Sequence, residues 1–203
     1  MTTKPWTFPI LAAALALAAP SAAPAQMADP AAATVAALDN GLLAIMHAGA
    51  AAGESGRARS IAPVIERAFD LPLMARLSVG PPWNGFTAAN QQALVAAFRA
   101  LTISQYAHNF DGFAGEHFVL SPQVETRGGD KLVRTQLVSP GGKSEELDYR
   151  LRQSAEGWKI IDIYYRSAIS QLATRRSDFA AVVARGGAPA LIAHLERLAK
   201  NPA

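Results

Sequence analysis

The period of apolar residues changes twice along this chain, and that change constrains its fold more than any other feature. Up to about residue 109, apolar side chains recur at helical spacing. From Asp111-Gly112 to about residue 166 they alternate, and beyond Ser167 the helical spacing returns. A block of strands is therefore held between two runs of helices, which predicts an α+β domain: a curved four-stranded antiparallel sheet wrapped by N- and C-terminal helices.

The strand candidates are 116–126, 131–139, 144–154 and 158–166, with turns at Gly128-Gly129, Gly141-Gly142 and Glu156-Gly157. Such short turns make an antiparallel meander. In the third strand Leu147, Tyr149 and Leu151 point one way and Asp148, Arg150 and Arg152 the other, so one face is covered and the other wet. Alternation in the fourth puts Trp158, Ile160, Asp162 and Tyr164 on one face, opposite Ile161, Ile163 and Tyr165. An aspartate beside Trp158 and Ile160 marks a pair or an opening.

Among the helices, Asp29-Pro30 reads as an N-cap followed by proline at the first helical position. The first helix is expected to run from there to about residue 50, with Val35, Leu38, Leu42, Ile45 and Met46 on one stripe. A break at Gly53–Gly56 separates it from a second helix over 61–69. Asp70 caps a third over 71–79, and Gly80-Pro81-Pro82-Trp83-Asn84-Gly85 forms a rigid loop. Thr87 caps a fourth over 88–109. Ser167 or Ser170 starts a fifth that Gly186-Gly187 ends, and a last helix spans 190–200.

Ahead of all this lies an export signal: Lys4, an apolar stretch over 8–19, Pro20, then Ala23-Pro24-Ala25, the small-x-small pattern of a cleavage site. Residues 1–25 are expected to be removed, leaving 26–203 as one domain in the periplasm. The apolar stretch is short of the roughly 20 residues that span a bilayer, and no later segment is expected to span one. The chain has no cysteine, which excludes disulfides, thiol chemistry and lipidation after the signal. A net charge of +3, or +2 without Lys4, is too sparse for a nucleic-acid surface.

Residues that could carry chemistry are few. There is no nucleophile elbow, phosphate-binding glycine loop or zinc-binding His-Glu-x-x-His helix. Tyr106, His108, Asp111, Glu116 and His117 could hold a metal or share a proton, or simply form a polar helix end. No cofactor or metal is expected. Arg166, Arg175 and Arg176 could bind a phosphate or carboxylate, or pair with Asp162 and Asp178. The aromatic residues either fill a core or line an apolar gap between helices and sheet.

An ordered set of landmarks carries a family resemblance. Phe69-Asp70, Met74-Ala75-Arg76, Gly80, Trp83, Thr87, Gln91, Phe98 and Tyr106 make up its helical half. Trp158-Lys159-Ile160-Ile161-Asp162, Ser170, Arg176 and Phe179 make up the rest. The chain resembles the MlaC-type periplasmic lipid-binding proteins, also called the toluene-tolerance auxiliary family. Tyr106–Phe113 and Ile169–Phe179 look most like its hopanoid-associated HpnM branch. Where the parent family commonly has a small pair after the last strand, this chain has Arg166-Ser167.

The resemblance implies a carrier, not an enzyme. Phospholipid or hopanoid tails would sit in an apolar cavity, and cargo would pass between an inner-membrane ABC transporter complex with an MCE-type subunit and an outer-membrane lipoprotein complex. The alternatives are a periplasmic enzyme acting on a lipid or polyprenyl product, and an adaptor with a filled core. The expected lining is Val133, Leu137, Tyr149, Leu151, Trp158 and Ile160 from the sheet, with Leu77, Trp83, Phe98, Leu101, Tyr106 and Leu172 from the helices. Arg176, which aligns with a family arginine and lies three residues before Phe179, is expected at the mouth beside the head group. Arg175 is expected to be exposed.

Overall fold

The computed structural model describes residues 29–202, so the export signal and its cleavage site lie outside the described residues. Helix α1 runs from Pro30 to Ala68, α2 from Leu71 to Val79, α3 from Ala88 to Asn109 and α4 from Gln171 to Lys200. A 3-10 turn, Pro81–Gly85, joins α2 to α3. Between α3 and α4 lie β1 (His117–Arg127), β2 (Asp130–Val138), β3 (Ser144–Ser154), β4 (Gly157–Tyr165) and the short β5 (Ile169–Ser170). They form one antiparallel sheet in the order β1-β2-β3-β4-β5. The expected sheet of four strands thus gains a fifth, formed where the chain folds back along β4 before α4.

The helix starts are set by short side chains that accept from orphan N–H groups. Asp29 accepts from Ala31, Asp70 from Leu73, Thr87 from Asn90 and Ser170 from Ala173. The helical breaks follow glycine. In α1 the helical geometry fails at Gly49 (φ 51°) and Gly53 (φ 62°), slightly earlier than the expected break at Gly53–Gly56, and the helix resumes directly. In α4 it fails at Gly186 and Gly187, the latter at φ 62°. Arg57 holds the first break in place. Its buried guanidinium donates at 2.8 Å to the carbonyl of Gly49 and at 2.8 Å to that of Ala107 at the end of α3.

By length and composition α1 does contain an 18-residue window apolar enough to cross a membrane, contrary to the sequence reading; its alanines raise the mean hydropathy to 1.3. In the fold it is a core helix. Val35, Leu38, Leu42, Ile45, Ile61 and Ile65 are at most 1 % exposed and pack against Phe98 and Leu101 of α3 and Val133, Tyr149, Leu151 and Ile160 of the sheet. The end of α1 is tied directly to β4, where the Asp70 N–H donates to the Ile160 carbonyl at 2.9 Å.

Two bulges bend the sheet. One lies at Ser121-Pro122-Gln123 of the edge strand β1, between the pairs Leu120–Thr135 and Val124–Val133. The other corrects the reading of β4. Arg150 pairs with Asp162 but Leu151 pairs with Ile160, which leaves Ile161 as the extra residue. Trp158 and Ile160 therefore share a face with Ile163 and Tyr165. Asp162 and Tyr164 fall on the face of Arg150 and Asp148. That face carries ion pairs: buried Asp130 accepts from Arg150 and Arg152 at 2.5 and 2.6 Å, and Arg134 bridges Glu125 and Asp148.

Candidate functional site

Because the bulge turns Ile163 and Tyr165 inward, one wall of a cleft is built by Leu137, Leu147, Tyr149, Ile163 and Tyr165. The facing wall comes from Met46 of α1, Met74 and Ser78 of α2, and Thr102, Gln105, Tyr106 and Asn109 of α3. The first turns of α4 close one side with Leu172, Thr174, Arg175 and Asp178, and Phe110 to Gly112 close another. The cleft has a volume of about 840 Å³. Its deep part is aromatic and aliphatic: Tyr106 packs between Phe69 (ring centroids 5.7 Å apart) and Phe110 (5.8 Å, stacked). Its outer part carries carboxylates, namely exposed Asp111 and Asp178 and half-buried Glu116 and Glu145. A smaller depression of about 300 Å³ lies on the opposite face of the sheet, among Arg134, Gln136, Glu146, Asp148 and Ser167.

Of the residues expected to line a cavity, Tyr106, Leu137, Tyr149 and Leu172 do line this cleft. Phe98, Leu101, Val133, Leu151 and Ile160 do not; they are fully buried in the core beside it. Trp158 is on their side of the sheet but lies away from the cleft, where Lys131 sits 4.6 Å over its ring and Thr34 donates to its carbonyl. Leu77 and Trp83 are half-buried at the far end of α2 and outside the lining. Alternation and helical stripes identify what faces inward; they do not say where packed interior ends and open space begins.

The arginines correct the sequence reading further. Arg176 is exposed and away from the lining, and both its Nε and a terminal nitrogen donate to the Leu77 carbonyl, at 2.9 and 2.7 Å. Arg175, expected in solvent, lies on the cleft wall. It donates to Gln105 Oε1 at 2.8 Å, and its guanidinium carbon is 4.8 Å from the Phe98 ring centre. Desolvation lowers its pKa. The reason lies in how α4 starts: the Asp162 carboxylate accepts from Ser170 Oγ at 2.6 Å and from the Leu172 N–H at 3.1 Å, which sets the rotation of the first turn. Leu172, Arg175 and Asp178, spaced three apart, then face the cleft. Phe179 is four residues after Arg175 and three after Arg176, so helical spacing fits either arginine. Arg166, the third, lies 3.7 Å from Glu145.

Two buried side-chain oxygens lack a hydrogen-bond partner among the described residues. Ser78 Oγ on the cleft wall has no hydrogen-bond partner, nor does Asp39 Oδ1 in α1. Burial pushes the Asp39 carboxyl up to about 7 and raises the hydroxyls of Tyr106 and Tyr149, both of which also feel the Asp39 charge. The polar residues that could have held a metal or shared a proton are only partly brought together. Tyr106, Asp111 and Glu116 line the cleft, while His108 lies 3.7 Å from Glu54. No group of three potential ligands forms among the described residues. The residues that sequence reasoning missed, Met46, Met74, Ser78, Gln105, Arg175, Ile163 and Tyr165, come from every layer of the fold. Met74 and Phe69, which also lines the cleft, stood among the landmarks of the resemblance, and nothing there marked them as lining.

The fold has known counterparts. The MlaC protein family matches residues 37–197. A solved phospholipid-binding protein from Ralstonia solanacearum, determined in complex with a phospholipid, has the same fold. It superposes with a TM-score of 0.70 at 24 % identity, over 84 % of this chain and 97 % of its own. None of the curated proteins is significantly similar in sequence. The family match spans the helices, the sheet and nearly all of α4, and on that extent the chain belongs to the MlaC family.

Proposed function

We propose that this protein is a periplasmic lipid carrier whose cleft takes up lipid tails. The observation that carries the reading is the cleft itself. It is about 840 Å³, opens between sheet and helices, and is apolar in depth and charged at its rim. This is the form expected of a site for an amphiphile. The shared fold with a protein that holds a phospholipid supports the same reading. Each methylene withdrawn from water contributes about 0.8 kcal/mol, so the interior holds a tail without chemistry. Binding and transport fit this site better than catalysis does.

In this reading the signal over 1–25 directs export and the mature chain begins at Gln26. The carrier collects or delivers phospholipid or hopanoid at an inner-membrane ABC transporter complex with an MCE-type subunit and at an outer-membrane lipoprotein complex. Release then requires a partner that opens the rim or competes for the tail. The test is mass spectrometry of chloroform-extractable lipid from protein purified out of the periplasm. Stoichiometric, chemically intact lipid is the expected result. Protein that is lipid-free, and that stays so after incubation with vesicles, refutes the reading.

A further inference from the structure

The charges around the cleft are ordered from inside to outside, and the order has a meaning for the head group. Arg175 is the only cation on the lining among the described residues, and no carboxylate lies within ion-pair distance of it. A guanidinium has five N–H donors, and the bond to Gln105 uses one. Removing such a group from water is costly unless oxygen acceptors or an opposite charge compensate. On the neighbouring wall Ser78, 1 % exposed, presents a hydroxyl with no partner. Ser78 comes from α2 and Arg175 from α4, so two unfulfilled donor sets reach one cleft from separate elements. A buried hydroxyl without a partner and a half-buried guanidinium with spare donors point to oxygens supplied from outside the chain.

The rim has the opposite sign. Asp111 and Asp178 are exposed there and form no ion pair among the described residues; Glu116 also lines the cleft, while Glu145 is already held by Lys143, Arg166 and the Tyr165 hydroxyl. Building on the lipid-carrier reading, we propose that Arg175 and Ser78 receive the phosphodiester oxygens of a bound phospholipid. The rim carboxylates then receive a cationic group carried outward from that phosphate. The preferred cargo is a zwitterionic, ammonium-bearing phospholipid. A phospholipid with an uncharged glycerol head satisfies Arg175 but gains nothing at the rim, and an uncharged polycyclic lipid satisfies neither.

The test incubates the delipidated mature protein with vesicles of phosphatidylethanolamine, phosphatidylglycerol and a hopanoid in equal amounts, and quantifies bound lipid by mass spectrometry. The wild type should enrich phosphatidylethanolamine over phosphatidylglycerol by about threefold or more, as exposed charge pairs allow. Arg175→Gln should lower total bound phospholipid by about tenfold, the scale of a charge-assisted hydrogen bond. Ser78→Ala should lower it by less while leaving the melting temperature equal or higher, because in the lipid-free protein it removes an unsatisfied hydroxyl. The double change Asp111→Asn, Asp178→Asn should lower bound phosphatidylethanolamine, leave bound phosphatidylglycerol no lower, and reduce the enrichment to about one. Equal uptake of the two phospholipids by the wild type, dominant uptake of the hopanoid, or Arg175→Gln binding as well as wild type each overturns the proposal while lipid carriage stands. If Arg175→Gln fails to fold for loss of its contact with Phe98, the Ser78 and rim variants decide. Wild-type protein that binds no lipid at all refutes the carrier reading itself.

Discussion

Arg176 directs two guanidinium N–H groups onto the carbonyl oxygen of Leu77. That carbonyl lies in the last turn of α2, and the residue four ahead, which would ordinarily donate to it, is Pro81 with no N–H. The arginine therefore replaces a missing helical hydrogen bond and fastens α4 to the end of α2. It also packs against Gly80, where an added Cβ would lie 3.4 Å from Arg176 Nε and the φ of 73° already favours glycine.

From this follows an outcome opposite to the one expected of a residue at the mouth. Arg176→Ala should cost about 1 kcal/mol, since the bonds are charge-assisted but solvent-exposed, or roughly 2–4 °C in melting temperature. Bound lipid should be unchanged, and Arg176→Lys should recover part of the loss. Thermal melts alongside lipid extraction check it; a loss of lipid without a loss of stability would return Arg176 to the site.

The boundary between core and cleft makes a second prediction. Ile163 is half-buried on the cleft wall, and Leu151 is completely buried two pairs away along the same β3–β4 ladder. Ile163→Trp should occupy the cleft and reduce lipid uptake at least about fivefold, with little change in melting temperature. Leu151→Trp has no space to enter and should cost about 1–3 kcal/mol or more through overpacking. Equal lipid uptake by Ile163→Trp and the wild type would show that the tails lie elsewhere.

Asp39 predicts a pH dependence. Its folded pKa of about 7 lies above the ordinary 3.8, because burial favours the neutral form. Between those values the folded state holds a proton that the unfolded state releases. The associated stability is complete below about pH 4, is lost as pH rises towards 7, and stays lost above it. Asp39→Asn should therefore change stability little at pH 4, raise it partly at pH 5 and fully at pH 8, by an amount on the order of 4 kcal/mol. Melts across that range would contradict this if the difference between the two proteins did not vary with pH.

Arg57 predicts a coupling between the break in α1 and the end of α3. Its two bonds, to Gly49 and Ala107, satisfy carbonyls at a broken helix and a helix terminus. Arg57→Ala leaves both without this donor and should cost about 2–4 kcal/mol. Hydrogen exchange should show faster opening around residues 45–57 and 103–109 than in the sheet. Uniform exchange would instead make Arg57 an ordinary packing residue.

What the sequence determined by itself is local. Asp29, Asp70, Thr87 and Ser170 cap helices because a short side chain can reach an N–H two or three residues on, and no distant contact is needed. The glycine pairs set the turns, and alternation in β3 separated Leu147, Tyr149 and Leu151 from Asp148, Arg150 and Arg152 without error. The landmarks that carry the resemblance, spaced along the chain, were enough to reach the family.

Only the tertiary structure decided which inward residues meet open space. A single extra residue in β4, Ile161, exchanges the two faces beyond it, and period-two reasoning has no term for that. Rotation of α4 by its anchorage to Asp162 chose Arg175 over Arg176 for the cleft, although both satisfy helical spacing to Phe179. Leu151 and Ile163 are alike in composition and pattern, yet one is packed on all sides and the other stands on a wall. That difference depends on how far apart the helices and sheet are held, which is a property of the whole assembly of contacts and of no segment alone.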